Sequence, residues 1–207
     1  MQHDTNLYNI SFSAVRLSHL YASAVIQPND IVIDATCGNG FDTIFLAEKV
    51  GSEGKVYGFD IQDIAIESTH RALLAKGLLN QSELLCCSHS EMINNIPTEL
   101  IGTVTCIMFN LGYFPGGDKT LITMPDTTLI ALQQSLALIS VGGIITICAY
   151  RGHEGGSEEE KVVEEFCTQL SKTSFNCLKT EHINEQPNRP VLYCIHKNLI
   201  LDKVNFL

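Results

Sequence analysis

The chain has 207 residues, 45% apolar and 17% charged, with 13 Lys and Arg against 23 Asp and Glu for a net charge of −10. This excludes a disordered or fibrous chain and a broad basic nucleic-acid face, and the length suits one core better than two, so residues 1–207 read as a single domain. No apolar run approaches the roughly 18 residues of a membrane helix. The start, Met1–Asn6, has neither the basic patch nor the apolar stretch of an export signal, so a cytoplasmic protein without membrane contact is expected.

In chain order, Phe12–Ile26 carries apolar residues at helical spacing and forms an N-terminal helix before the first strand. Ile31–Asp34, Lys55–Asp60, Glu83–Cys87, Val104–Asn110 and Gly143–Tyr150 are short, apolar and rich in β-branched residues, and read as strands. The helices Asp42–Val50, Ala65–Lys76 and Asp126–Ile139 lie between them, and Glu158–Leu170 follows with acidic residues in its first turn, where the helix dipole favours them. Strands alternating with helices give a parallel sheet with right-handed crossovers. The rhythm then changes. Phe175–Ile183 and Val191–Lys197 are joined by a turn-rich segment and read as a hairpin, which sets an antiparallel strand in the sheet. The predicted fold is α/β: a mostly parallel, seven-stranded, Rossmann-like sheet of the class I methyltransferase type with an antiparallel C-terminal hairpin and an extra N-terminal helix.

The eight cysteines (Cys37, Cys86, Cys87, Cys106, Cys148, Cys167, Cys177, Cys194) form no C-x-x-C pair and sit mostly in apolar runs. Metal sites need ligands at short spacing and disulfide scaffolds are small and secreted, so reduced thiols and no metal are expected.

Ligands of a doubly wound sheet bind at the carboxyl ends of its strands. The first strand runs into Asp34-Ala35-Thr36-Cys37-Gly38-Asn39-Gly40-Phe41-Asp42-Thr43, where Gly38 and Gly40 let the backbone approach a ligand closely. Asp60 ends the second strand, 20 residues past Gly40, where a carboxylate can accept both hydroxyls of a ribose. Dinucleotide sites share this Gly-x-Gly and downstream acid. Here Thr43 replaces the third glycine, and Asp34 suits a cationic amino-acid moiety better than a pyrophosphate, so the residues favour a sulfonium methyl donor. Gln62 can meet the ribose or adenine edge, and Ser88-His89 follows the third strand, where adenine lies in such folds. Asn110 and Tyr113 have the N-x-x-aromatic spacing of methyltransferases that act on amino nitrogens: the amide oxygen holds an amine hydrogen while the ring packs on a flat base. Leu111 and Gly112 stand where that motif has two prolines.

Together the blocks Asp34–Thr43, Phe59–Gln62, Asn110–Lys119 and Tyr150–Gly156 resemble the YtqB family of class I methyltransferases, labelled rRNA methylases and associated with the tRNA 5-(aminomethyl)-2-thiouridine methyltransferase MnmM. One departure is Phe41, where many relatives carry a histidine or a polar residue. The resemblance implies S-adenosylmethionine as cofactor, a primary amine on the wobble uridine as acceptor, and tRNA, through its anticodon loop, as partner. A homodimer stays open. The donor is expected on Asp34, Thr36, Gly38, Asn39, Gly40, Asp42, Asp60, Gln62, Ser88, His89 and Asn110. Asn110, Tyr113 and His153 are the catalytic candidates, His153 as the titrating group. Tyr113, Phe114, Lys119, Tyr150, Arg151 and Arg189 are the candidates for holding the nucleic acid; a splayed loop is read by stacking and edge contacts, so a few cations suffice. Competing readings are a methyltransferase acting on rRNA or a small-molecule amine, a donor-binding module without catalysis, and a dinucleotide oxidoreductase.

Overall fold

A computed structural model describes residues 12–116, 118, 120–184 and 189–198. Its helices are α1 (Ala14–Val25), α2 (Phe41–Val50), α3 (Asp63–Lys76), the single turn α4 (Met92–Asn95), α5 (Pro125–Leu138) and α6 (Gly156–Gln169). Its strands are β1 (Ile31–Asp34), β2 (Lys55–Asp60), β3 (Ser82–Cys86), β4 (Val104–Leu111), β5 (Ile139–Ala149), β6 (Phe175–Thr180) and β7 (Val191–Lys197). They form one sheet in the order β3-β2-β1-β4-β5-β7-β6. Strands β1 to β5 pair in parallel, and β7 runs antiparallel between β5 and β6. The expected fold class is the observed one.

The two-residue period of the strands divides the core. On β4, Cys106 and Met108 face the layer of α1, α2 and α3, with Val32, Leu46 and Leu192, while Ile107, Phe109 and Leu111 face the opposite layer with Met92, Leu132 and Val163. Both faces of the sheet are therefore covered, which explains why the inner strands read as near-continuous apolar runs.

Element ends differ from expectation for local reasons. Helix α1 begins at Ala14 because the Ser13 side chain accepts from the Arg16 N–H at 3.3 Å and caps it. Strand β5 begins at Ile139 rather than Gly143, since α5 passes directly into it and the register with β4 shifts between Val104 and Cys106. Strand β3 is Ser82–Cys86, one residue earlier than expected, and β6 stops at Thr180 rather than Ile183. Among the described residues no helix is long and apolar enough to cross a membrane.

The C-terminal pair is tied to α6 through a buried carboxylate. Glu160 accepts from Arg151 Nη2 at 2.9 Å and from the Tyr193 hydroxyl, and Lys179 Nζ lies 3.4 Å away. Burial pushes its carboxyl upward, but the Arg151 guanidinium and the Tyr193 hydroxyl outweigh this and hold it below the usual range. Arg151 also reaches Glu181 at 3.2 Å, so its positive charge is committed to two carboxylates. Replacing Arg151 with Ala leaves Glu160 short of its main donor. The variant should lose about 1–3 kcal/mol of stability in urea denaturation, and an unchanged midpoint would mean the pair contributes nothing.

Candidate active site

The β1–α2 loop is built by its two glycines and by Asp60. Gly38 (φ 52°) and Gly40 (φ 80°) take left-handed backbone, and a Cβ on Gly40 would come within 3.1 Å of the Thr69 backbone. Asp60 accepts from the Gly38 N–H and from the Gln62 N–H, both at 3.0 Å, so one carboxylate fixes the loop and the start of α3. Burial still holds its carboxyl above the ordinary value, with these donors pulling the other way.

Over the carboxyl ends of β1, β2 and β4 opens a cavity of about 640 Å³, a volume that suits a cofactor-sized ligand. Thr36, Gly38, Asn39, Asp42, Asp60, Gln62, Ser88, His89, Asn110, Tyr113, Phe114, Tyr150 and His153 all line it. The lining residues 112–115 and 121–124 form its lid. Gln62 ties that lid to the end of β2, its Oε1 accepting from the Asp118 N–H at 3.3 Å and its Nε2 donating to the Leu121 carbonyl at 3.5 Å. Thr123 holds the other end: it exchanges backbone and side-chain hydrogen bonds with Gly112 at 2.8 Å and donates to buried Glu159 at 2.7 Å.

Three polar atoms along this wall are buried and without a hydrogen-bond partner: Asn110 Oδ1, His153 Nε2 and His89 Nε2. All lie on side chains that line the cavity. A buried polar atom without a partner costs about 1–3 kcal/mol, so three in one cavity mark places where a ligand supplies donors. His153 Nδ1 lies 2.9 Å from the Glu154 carbonyl, which can only accept, so Nδ1 carries a proton and Nε2 is the ring atom that holds the lone pair in the neutral tautomer.

Several expected residues stand elsewhere than the sequence suggested. Asp34 is fully buried beneath the loop and absent from the cavity wall; it accepts from Thr43 Oγ1 at 2.6 Å and from the Thr36 N–H at 3.1 Å. Burial, and then the charge of Asp42, push its carboxyl up to about 7. Its work is to brace the loop rather than to meet a cationic ligand. Gly40 likewise shapes the loop from outside the wall. Phe114 is mostly buried, 3.6 Å from the place a Gly38 Cβ would occupy, whereas Tyr113 is exposed and meets the His153 ring edge-on at 6.0 Å. Arg151 and Arg189 lie off the cavity wall, and Lys119 lies outside the described residues.

Sequence reasoning missed α1 as a wall. It contributes Val15 to the cavity wall and carries, off that wall, His19, whose Nε2 donates to Asp42 Oδ1 at 2.6 Å while its ring stacks on Phe45 at 3.9 Å. A histidine on a helix remote in sequence carries no signal until the fold places that helix. Thr123 and Glu159 were missed for the same reason. Among the described residues no three His, Cys, Asp or Glu side chains converge as metal ligands.

A family model described as "Putative rRNA methylase" matches residues 56–196. The chain is 40% identical over 193 residues to a protein of Arabidopsis thaliana named "tRNA (mnm(5)s(2)U34)-methyltransferase, chloroplastic", covering 89% of this chain and 69% of that one. It is similar to the crystal structure of a "putative rRNA-methylase" from Clostridium thermocellum, with TM-score 0.85, 40% identity, and 89% and 97% of the two chains covered. A methyltransferase from Streptococcus mutans, solved in complex with SAH, superposes with TM-score 0.81 at 31% identity over 91% of this chain and 99% of its own.

The buried histidine gives a prediction. Burial pushes His89 down to about 4, a backbone hydrogen bond at Ala35 pulling the other way, so the imidazole is neutral in the folded protein. Below its ordinary 6.5 the unfolded chain gains a proton there that the folded chain refuses until near 4. Stability is lost as the pH falls through that window and is unaffected above it. Asp34 acts in the opposite sense: between 3.8 and about 7 the folded chain holds the extra proton, so its contribution falls as pH rises. His89→Leu isolates the first effect. Its stability relative to wild type should rise by about 2 kcal/mol between pH 7 and pH 5 in ligand-free urea denaturation; a pH-independent difference would show that His89 titrates normally.

Proposed function

This chain belongs to the rRNA methylase family of class I methyltransferases, and on that footing we propose that it transfers the methyl group of S-adenosylmethionine to the primary amine of 5-aminomethyl-2-thiouridine at the tRNA wobble position. The observation that carries the amine is Asn110: an amide oxygen with no partner, on the wall of the cavity, one residue before the end of β4. The name of the Arabidopsis relative supports tRNA over the other acceptors.

The cavity fits the donor through the open backbone at Gly38, the Asp60 carboxylate and the neutral His89 acceptor. S-adenosylmethionine, when bound, supplies an electrophilic methyl carbon on a sulfonium. Asn110 Oδ1 accepts one amine hydrogen and so aims the nitrogen lone pair. The amine nitrogen gains the carbon, the carbon–sulfur electron pair stays on sulfur, and the new secondary ammonium gives up one proton. His153 lines the same cavity, and in the tautomer with Nδ1 protonated its Nε2 is the atom to receive it. Tyr113, exposed at the rim, offers a ring on which a splayed base stacks. Catalysis rests chiefly on positioning.

Three of the described cations are engaged within the protein itself. Lys179 pairs with Glu160 and Glu164, Lys197 donates to the Leu136 and Ile139 carbonyls, and Arg151 is held by Glu160 and Glu181. Few phosphates are therefore neutralised, and tRNA affinity should fall only shallowly with salt, since the slope scales with their number.

Three measurements test this reading. Asp60→Ala should weaken donor binding by about 10- to 150-fold in calorimetry, the loss of one hydrogen bond to a charged acceptor. Asn110→Ala should cut turnover while leaving donor affinity nearly intact, because its contact forms with the acceptor. An anticodon stem-loop carrying 5-aminomethyl-2-thiouridine should gain 14 mass units per modified base (about one CH2, as replacing hydrogen by methyl requires). If it stays inert while rRNA or a free amine is methylated, the tRNA assignment fails and the methyltransferase remains.

A further inference from the structure

Asn110 does not stand alone. Its place on β4 has the same parity as Cys106 and Met108, which directs the side chain toward the layer of α1 and α2. There its Nδ2 donates to Asp42 Oδ2, and the other oxygen of that carboxylate accepts from His19 Nε2 at 2.6 Å. Asp42 is 5% exposed and His19 about a quarter exposed on its side chain. The His19 ring is in turn clamped flat against Phe45, with 7° between the planes.

We propose that His19 is a positioning residue for the methyl acceptor, acting through Asp42 on the Asn110 amide; this rests on the reading that Asn110 holds an amine. An ionised carboxylate only accepts, so the Asn110 edge that meets Asp42 must be its NH2, and Oδ1 is forced to the other side, where it has no partner. The reverse amide orientation would set two acceptors against each other and offer the substrate amine a donor. His19 keeps Asp42 in register: its N–H occupies Oδ1, leaving Oδ2 for Asn110, and the stack on Phe45 fixes the ring that supplies it. The amide is further held by its own backbone, since the Asn110 N–H donates to Thr36 Oγ1 at 2.7 Å. The acceptor orientation is thus set from α1, α2 and β4 together.

The test uses the full chain, S-adenosylmethionine and an anticodon stem-loop bearing the primary amine. His19→Phe preserves the ring and its stack on Phe45 but cannot donate; His19→Gln restores a donor near the Nε2 position without the ring. His19→Phe should lower kcat about 10- to 100-fold with donor affinity unchanged in calorimetry, and His19→Gln should recover most of the loss. Asp42→Asn, which places a second amide against Asn110, should fall at least as far as His19→Phe. Thermal melting of each variant shows that the protein compared is folded. A His19→Phe enzyme as fast as wild type, a loss of donor affinity in step with kcat, or a Gln variant as slow as the Phe variant overturns the role of His19. If wild type itself is inert on the amine while methylating another acceptor, the underlying reading is wrong and this inference goes with it.

Discussion

The site depends on one topological constraint: β1 lies between β2 and β4, and the chain leaves β1 and β4 for helices on opposite faces of the sheet. Where neighbouring strands send their connections apart, a crevice opens at their carboxyl ends that no crossover can fill. The cavity lies in that crevice. The β1–α2 loop lines one side of it and the segment after β4 the other. A swap in strand order would close the gap and separate Asn110 from the glycine loop.

The two sides of the cavity are held to each other by hydrogen bonds rather than by a shared apolar core. Thr36 Oγ1 accepts the Asn110 N–H, Asp60 fixes Gly38 and Gln62, and Gln62 reaches across to Asp118 and Leu121. Glu159 closes the frame at the far end of the lid, accepting from Thr128 Oγ1 at 2.6 Å as well as from Thr123. Methyl transfer needs its two reacting atoms in line, and a polar frame of fixed directions holds an angle better than apolar contacts do. The frame also explains why polar residues such as Asp34, Thr43 and Thr128 are buried in an otherwise apolar interior.

How much of this could be read from the sequence follows the range of the forces involved. Strands and helices are set by local periodicity, and most were placed within a few residues; β7 was placed at Val191–Lys197 outright. The glycine turn and the acid at the end of β2 were legible because backbone conformation and strand ends leave marks in neighbouring residues. What local spacing hides is the direction of a side chain across elements. Asp34 looked like a ligand contact because it adjoins the turn, yet the last inward residue of β1 points beneath the loop to Thr43. Arg151 looked like a cation for the nucleic acid because it follows β5 at the rim of the sheet, yet α6 and the segment after β6 bring Glu160 and Glu181 to it. His19 gave no sign at all, since its partner lies 23 residues away.

The charge of the cavity then has to serve two demands that conflict. A sulfonium donor gains from nearby carboxylates, but an amine must shed its proton to attack, and bare carboxylates would hold it as an ammonium. The structure separates the demands. Asp60 faces the donor side with two backbone donors on it. Asp34 carries a carboxyl raised to about 7 and is sealed below the loop. Asp42 has both oxygens engaged, by His19 and by Asn110. Where the proposed acceptor would sit, the cavity presents the Asn110 amide and the His153 imidazole in place of a naked carboxylate. In the proposed reaction those groups would hold an amine by its hydrogens without the full charge that stabilises an ammonium, which favours the neutral, reactive form.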